Sequence, residues 1–145
     1  MPERAVAGLP APGCSLAVLD ASVGVKWIKA HESGSEEALG LLAAHRDRTL
    51  HLVVPAHFVA EVVGTAVRHG GPDLGEQVWR SLRAADLTVV SLDDALAEAA
   101  FEQCRALGCS FYDALAPGLA VLLGGALYSA DTRAHARFPG VRLVG

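Results

Sequence analysis

The sequence predicts an α/β domain with a mainly parallel sheet flanked by helices. Short apolar segments, such as residues 16–20, alternate with longer segments whose apolar residues recur at helical spacing. This alternation favours parallel pairing, because the crossover between parallel strands is usually a helix that covers one face of the sheet. With 145 residues, 52% hydrophobic and 19% charged, the chain can fill one core. We therefore expect a flexible leader over residues 1–15 and a single domain over residues 16–145.

The first elements follow from apolar spacing and capping residues. Residues 16–20 form an uninterrupted apolar strand that ends on an acid, and residues 22–30 have the pattern of a helix. Ser22 can cap that helix. Residues 35–46 predict a second helix, and the apolar residues 52–54 predict the second strand.

A pair of helices and a third strand come next. Pro55 suits the start of a helix whose apolar stripe ends at Gly70 and Gly71. Another helix opens at Pro72 and continues to about residue 85. The β-branched segment over residues 87–92 predicts the third strand.

The last third of the chain repeats this order. Asp93 can cap a helix with an apolar stripe that reaches Leu107. Residues 111–123 predict a further helix, and residues 126–129 and 141–144 predict the last two strands.

Composition excludes several classes of protein. There are 12 basic and 16 acidic residues, so the chain does not bind nucleic acid through bulk positive charge. Its three cysteines form no CxxC pair, and the N-terminus lacks a signal-peptide pattern, which together favour a reducing cytoplasm. The longest uncharged run, residues 114–130, is interrupted by Pro117 and is shorter than the about 20 apolar residues of a membrane span. We therefore expect a cytoplasmic protein without a membrane anchor.

Acidic residues occupy corresponding places around the predicted sheet. Asp20 and Asp131 each follow a strand, and ligands of parallel sheets bind beyond the carboxyl ends of the strands. Glu61 and Asp113 lie in otherwise apolar helical segments. Each acid also has a simpler explanation: Asp20 can cap a helix, and a helix N-terminus favours the charge of Asp113.

Taken together, the acids predict a metal site. Carboxylates held close together repel each other, so the pKa of at least one rises unless a cation neutralises them. Oxygen ligands suit Mg²⁺ or Mn²⁺. Such an ion favours attack by water and stabilises charge on phosphate oxygens, which phosphodiester hydrolysis requires.

Four motifs in the same order resemble those of PIN-domain proteins, and within that family the VapC-type toxins of toxin–antitoxin pairs. The motifs are "VLDASVGVKW", "PAHFVAEV", "SFYDALA" and "SADTR". The resemblance extends from about Leu16 to Val144 and implies a three-layer sandwich. It also implies that Asp20, Glu61 and the later acids Asp113 and Asp131 hold one or two Mg²⁺ or Mn²⁺ ions.

The same resemblance implies a function. Family members are typically metal-dependent ribonucleases that leave a 5′-phosphate and a 3′-hydroxyl, and a small antitoxin encoded beside the toxin restrains them. Ser129 stands where the family has Thr or Ser, and with Ser22 it would orient carboxylates or water. In two places the chain departs from the family pattern. Gly64 replaces a common Asn, and Pro117 with Gly118 is expected to kink the helix of Asp113, changes that bear on rate and metal affinity.

Basic and aromatic residues supply further candidates. Arg133 and Lys26, with Lys29 and Arg137, follow the first and last acids and are candidate RNA phosphate contacts, or else ordinary solvated charges. The histidines show no metal-binding spacing and are expected at the surface or in caps, with His57 the exception because it lies one turn before Glu61.

The two tryptophans and one amphipathic segment suggest contacts with partners. Trp27 and Trp79 either stack on bases or pack within helices. Residues 75–85 have apolar and Arg-bearing faces that suit a homodimer contact or an antitoxin groove.

Two other functions remain open at this point. The first is a PIN-like module that binds RNA or protein without turnover, which Gly64 and Pro117 favour. The second is a signalling receiver domain, but that class requires adjacent acids after the first strand, and Asp20 stands alone.

Overall fold

The computed structural model describes residues 15–145 and contains one parallel sheet. Its strands are β1 (Ser15–Leu19), β2 (Leu50–Pro55), β3 (Thr88–Val90), β4 (Ala126–Ser129) and β5 (Arg142–Leu143). Their spatial order is β3-β2-β1-β4-β5, and every pairing is parallel. The central strand is β1, where Ala17 pairs with Leu52 on one side and with Ala126 on the other. The predicted α/β architecture is confirmed.

Helices connect the strands largely as the sequence predicts. They are α1 (Ala21–Val25), α2 (Ser35–Arg46), α3 (Ala56–Ala85), α4 (Asp94–Leu107), α5 (Phe111–Leu123) and α6 (Thr132–His135). α1 is shorter than predicted, because the chain beyond it turns with bonds such as Trp27 N–H to Gly24 O. α3 contains both predicted helices, separated at Gly71, whose φ of 83° lies in the left-handed region that favours glycine. The four-residue α6 was not predicted.

The sheet separates two apolar layers, as a three-layer sandwich requires. Alternate residues of a strand point to opposite faces, so Leu19 packs with Phe58 of α3 while Val18 packs with Leu119 of α5. All four side chains are fully buried. The sheet is therefore packed on both faces, and the carboxyl ends of its strands form an edge between the two helical layers.

Close contacts between helices explain two glycines. A Cβ on Gly118 would lie 2.9 Å from the backbone N of Ala100, so glycine lets α5 approach α4. A Cβ on Gly24 would lie 2.6 Å from Phe58 Cζ. The expected kink at Pro117 and Gly118 is not present as a break, since helical backbone continues through α5.

Two sequence-based expectations concern the ends of the chain and the membrane. The leader predicted over residues 1–15 lies outside the described residues except for Ser15, which begins β1. Within residues 15–145 no single helix is long and apolar enough to cross a membrane, although α4 and α5, bent by 110°, pass that test as a pair.

Candidate active site

Asp20 directly follows β1 and caps α1 at the carboxyl edge of the sheet. Its Oδ2 accepts hydrogen bonds from the backbone N–H of Ser22 at 3.0 Å and from the Ser22 hydroxyl at 2.6 Å. The residue is 7% exposed. Among the described residues Oδ1 has no hydrogen-bond donor, so the cap fixes one carboxylate oxygen and leaves the other for a ligand.

Two serines join the end of β1 to the end of β4. The Ser22 hydroxyl oxygen accepts from the backbone N–H of Ala130 at 2.9 Å, and that of Ser129 accepts from the backbone N–H of Asp131 at 3.0 Å. The two hydroxyl oxygens lie 3.4 Å apart. This arrangement sets Asp131 beside the end of β1.

Asp131 repeats the capping arrangement of Asp20. Its Oδ1 accepts from the backbone N–H of Ala134 at 3.0 Å at the start of α6. Its Oδ2 makes no hydrogen bond to a described residue. Both strand-ending acids thus act as helix caps, which was the simpler explanation for Asp20, while each keeps one carboxylate oxygen for other contacts.

Glu61 comes to the same edge from the first half of α3. Its side chain is 51% exposed, and its Oε1 lies 3.7 Å from His57 Nε2. Partial burial raises the pKa of Glu61, and the negative charges of Asp20 and Asp113 raise it further, against the opposing effects of His57 and Arg68. Glu61 therefore lies within electrostatic reach of Asp20 and Asp113.

Asp113 stands in the first turn of α5. The Ser110 hydroxyl oxygen accepts from the backbone N–H of Asp113 at 3.1 Å, and the carboxylate itself has no hydrogen bond or ion pair within residues 15–145. Burial raises the pKa of the Cys109 thiol, and Cys104, Asp113 and Asp131 add to this rise. The charge of Asp113 therefore raises the pKa of Glu61, and together with Asp131 it raises the pKa of Cys109.

These acids fit a hard divalent cation by their chemistry. They supply carboxylate oxygens that lack protein donors, and such oxygens are the ligands that Mg²⁺ and Mn²⁺ prefer. Across the described part of the chain, no three His, Cys, Asp or Glu side chains form a ready-made metal site. Mg²⁺ commonly keeps several waters and uses only one or two carboxylates directly, so a looser acidic cluster is compatible with it.

The cationic candidates have different environments. Arg133 is exposed, and its side chain makes no hydrogen bond or ion pair with the described residues. Lys26 corrects our expectation, because its ammonium donates to Ser33 O at 2.5 Å, lies 3.6 Å from Glu32 and is only 12% exposed. Arg137 is likewise engaged, donating to Leu107 O at the end of α4.

Arg68 is a cation that sequence reasoning missed. It lies on α3 and shifts the pKa of Glu61 downward. Its guanidinium donates to Thr65 Oγ1 at 3.0 Å. The sequence signal was present, because a spacing of seven residues places Arg68 two turns from Glu61 on one helical face.

His135 is the second residue that was misjudged, since we expected a surface or capping position. It is fully buried, with Nδ1 2.6 Å from Ser129 Oγ and Nε2 2.6 Å from the Asp113 carbonyl oxygen. His57 lies beside Glu61, as its spacing predicted. Its buried Nδ1 has no hydrogen-bond partner among the described residues.

The tryptophans take different roles. Trp27 packs within the fold, which is one of its two predicted roles. Its indole N–H donates to Ala38 O at 2.8 Å, and its ring packs edge-on against Phe58 with the ring centroids 5.8 Å apart. Trp79 is 45% exposed. It lines a groove of about 820 Å³ that is bordered by both halves of α3 and by β3. The groove residues are Ala56, Val59, Ala60, Val63, Gly64, Trp79, Leu82, Arg83, Asp86, Leu87 and Val89.

Comparison with known proteins adds to this geometry. The family model described as PIN domain matches residues 17–140, and no curated protein matches the sequence significantly. Among solved structures, a toxin–antitoxin complex from Klebsiella pneumoniae has a TM-score of 0.65 at 17% identity, over 87% of this chain and 95% of that chain.

Two further structures have similar folds. The DNA-bound VapBC complex from Salmonella typhimurium gives a TM-score of 0.66 at 19% identity, covering 89% of this chain and 96% of that chain. VapC20 from Mycobacterium tuberculosis is described as a sarcin-ricin loop cleaving toxin. It gives a TM-score of 0.67 at 20% identity, covering 87% of this chain and 98% of that chain. At these identities the likeness concerns the fold.

Proposed function

The chain belongs to the PIN domain family, and from this premise we propose that it is a metal-dependent endoribonuclease acting as the toxin of a toxin–antitoxin pair. The observation that supports the proposal is the placement of Asp20 and Asp131 directly after the paired strands β1 and β4, each with one carboxylate oxygen that no described residue donates to. The Ser22 hydroxyl donates to Asp20 and accepts from the backbone N–H of Ala130, the residue before Asp131, which connects the two acids. Glu61 reaches the same edge from α3, where partial burial first, and then the charges of Asp20 and Asp113, raise its pKa.

In this proposal Asp20, Glu61, Asp113 and Asp131 hold Mg²⁺ or Mn²⁺. A bound divalent cation would supply positive charge that favours attack by water and stabilises the phosphate as the bond breaks. Ser22 keeps Asp20 Oδ2 occupied, so Oδ1 is the oxygen of Asp20 that meets a ligand. The capping bond of Asp131 orients its carboxylate in the same way.

Arg133 is the proposed RNA phosphate contact. It follows Asp131 by two residues, is exposed, and has no side-chain partner within residues 15–145. Guanidinium groups pair well with phosphate oxygens. We expect Arg133→Gln to raise the KM for RNA more than it lowers kcat, measured by steady-state cleavage. An unchanged KM would place the phosphate contact elsewhere.

The proposed partners are RNA, a small antitoxin and a second copy of the chain. The apolar groove of α3 and β3, defined above, includes part of the amphipathic segment 75–85 and is the candidate antitoxin site. Support comes from the similar folds found in toxin–antitoxin complexes. The cytoplasm is the proposed location, where free Cys104 and Cys109 remain reduced.

Cleavage of a mixed pool of structured RNAs tests this function. Wild-type protein is expected to cut in Mg²⁺ or Mn²⁺, to stop in chelator, and to leave 5′-phosphate and 3′-hydroxyl ends. Asp20→Asn should abolish cutting. Asp47→Asn is the matched control, because Asp47 is exposed and precedes β2, at the opposite edge of the sheet.

A second outcome distinguishes the binding-only alternative. Gly64, where the family commonly has Asn, favours that alternative. Labelled RNA that shifts in a gel without being cut would support it. RNA cut equally by Asp20→Asn would refute the assignment of the acids.

A further inference from the structure

Pro117 leaves one carbonyl of α5 without its helical donor. In an α-helix the N–H of each residue donates to the carbonyl four residues earlier, and proline has no N–H. The affected carbonyl is that of Asp113, one of the proposed metal-binding acids. Pro117 is buried and α5 is continuous around it, so this oxygen lacks the donor that an α-helix ordinarily gives it.

His135 supplies the missing donor from a different element. Its Nε2 lies 2.6 Å from the Asp113 carbonyl oxygen, and the side chain is fully buried. A carbonyl oxygen only accepts hydrogen bonds, so Nε2 must carry the proton. In the neutral ring Nδ1 is then an acceptor, and the Ser129 hydroxyl at 2.6 Å donates to it.

The bonds continue from His135 to the second acid. Because the Ser129 hydroxyl proton is directed at His135, its oxygen is available to accept from the backbone N–H of Asp131 at 3.0 Å. An uninterrupted series of hydrogen bonds thus runs from the backbone of Asp131 through Ser129 and His135 to the backbone of Asp113. Both proposed ligands are fixed to one buried imidazole.

We infer that His135 is a positioning residue that sets the spacing of Asp113 and Asp131, and that Pro117 creates the acceptor it needs. His135 does not touch substrate or metal. The positioning role rests on the proposed function, whereas the pairing of Pro117 with His135 is a property of the fold and is tested without it.

A double-mutant cycle tests the pairing. His135→Leu is expected to lower the Tm by about 3 to 9 °C, because a buried carbonyl loses its donor. Pro117→Ala restores a helical N–H to the Asp113 carbonyl. In that background His135→Leu should cost less than half as much. Equal losses in the two backgrounds would overturn the pairing, since neighbours that share an acceptor must be coupled.

Conservative replacement and metal binding test the positioning. His135→Leu should lower the Mn²⁺ affinity about tenfold. His135→Gln retains an amide donor near the place of Nε2, so its Mn²⁺ affinity should stay close to that of the wild type. Exposed His69 gives a control variant, His69→Leu, with unchanged Mn²⁺ affinity. A His135→Leu protein with lowered Tm and unaltered Mn²⁺ affinity would overturn the positioning role.

The two arms separate failure of this inference from failure of the proposed function. A wild-type protein that binds no Mn²⁺ and cuts no RNA would refute the function, and with it the metal-positioning role. The Tm cycle in chelator would still decide whether Pro117 and His135 act as a pair. The double variant Pro117→Ala with His135→Leu keeps this comparison possible if His135→Leu alone folds poorly.

Discussion

Removal of the Ser22 hydroxyl is expected to weaken both the fold and the site. In Ser22→Ala, Asp20 Oδ2 loses a 2.6 Å charge-assisted hydrogen bond, and the Ala130 N–H loses its 2.9 Å acceptor. The first bond helps hold the carboxylate in one orientation. The second joins the start of α1 to the residue that follows β4.

The magnitude follows from these two bonds. A hydrogen bond to a charged group contributes about 1.5 to 3 kcal/mol, and an unsatisfied buried N–H costs about 1 to 3 kcal/mol. Ser22 is only partly buried, so water can replace some of each loss. We expect a decrease of about 2 kcal/mol in the free energy of unfolding and a fall in Tm of about 6 °C.

Chemical and thermal unfolding in chelator measure this loss without any effect of metal. Ser22→Thr keeps the hydroxyl and should retain most of the stability. Ser81→Ala, at an exposed position of α3, is the control for loss of a serine hydroxyl. The reasoning is refuted if Ser22→Ala is as stable as wild type, or if Ser22→Thr loses as much as Ser22→Ala.

Three further changes test separate features. Glu61→Gln should stabilise the metal-free protein at neutral pH and have no effect below about pH 4. The reason is that the pKa of Glu61 is raised in the folded protein, so the wild type loses stability as the pH rises through that pKa. Equal Tm differences at both pH values would contradict this. Gly118→Ala should lower the free energy of unfolding in urea by about 1 to 3 kcal/mol, since its Cβ would lie 2.9 Å from the backbone N of Ala100. A variant as stable as wild type would show that α4 shifts to accommodate the methyl group at no cost. Gly64→Asn should keep the wild-type Tm, because the nearest atom to its Cβ is Arg68 Nη1 at 3.6 Å, and should raise the metal-dependent cleavage rate; a lower rate would contradict the expectation taken from the family pattern.

The sequence predicted the features that depend on local pattern. Alternating apolar strands and amphipathic helices were sufficient for the parallel sheet, and paired glycines marked the break in α3 at Gly71. The common position of Asp20 and Asp131 was predicted because both follow strands, and the carboxyl ends of parallel strands lie at one edge. These inferences needed only spacing and the geometry of a parallel sheet.

Very short elements and contacts between residues distant in sequence were missed. α6 has four residues, too few to show helical periodicity. The role of His135 depends on a carbonyl that Pro117 leaves free on another helix. Lys26 was predicted to be available for RNA, because the neighbouring sequence does not indicate that the following loop brings Glu32 and Ser33 into contact with its ammonium group.

Mn²⁺ binding by the folded protein, followed by electron paramagnetic resonance, tests the central claim most directly. The acids at the carboxyl edge of the sheet should give saturable binding that Asp20→Asn loses and Asp47→Asn retains. Absence of saturable binding in the wild type, or equal binding by Asp20→Asn, would contradict the assignment of these acids as a metal site.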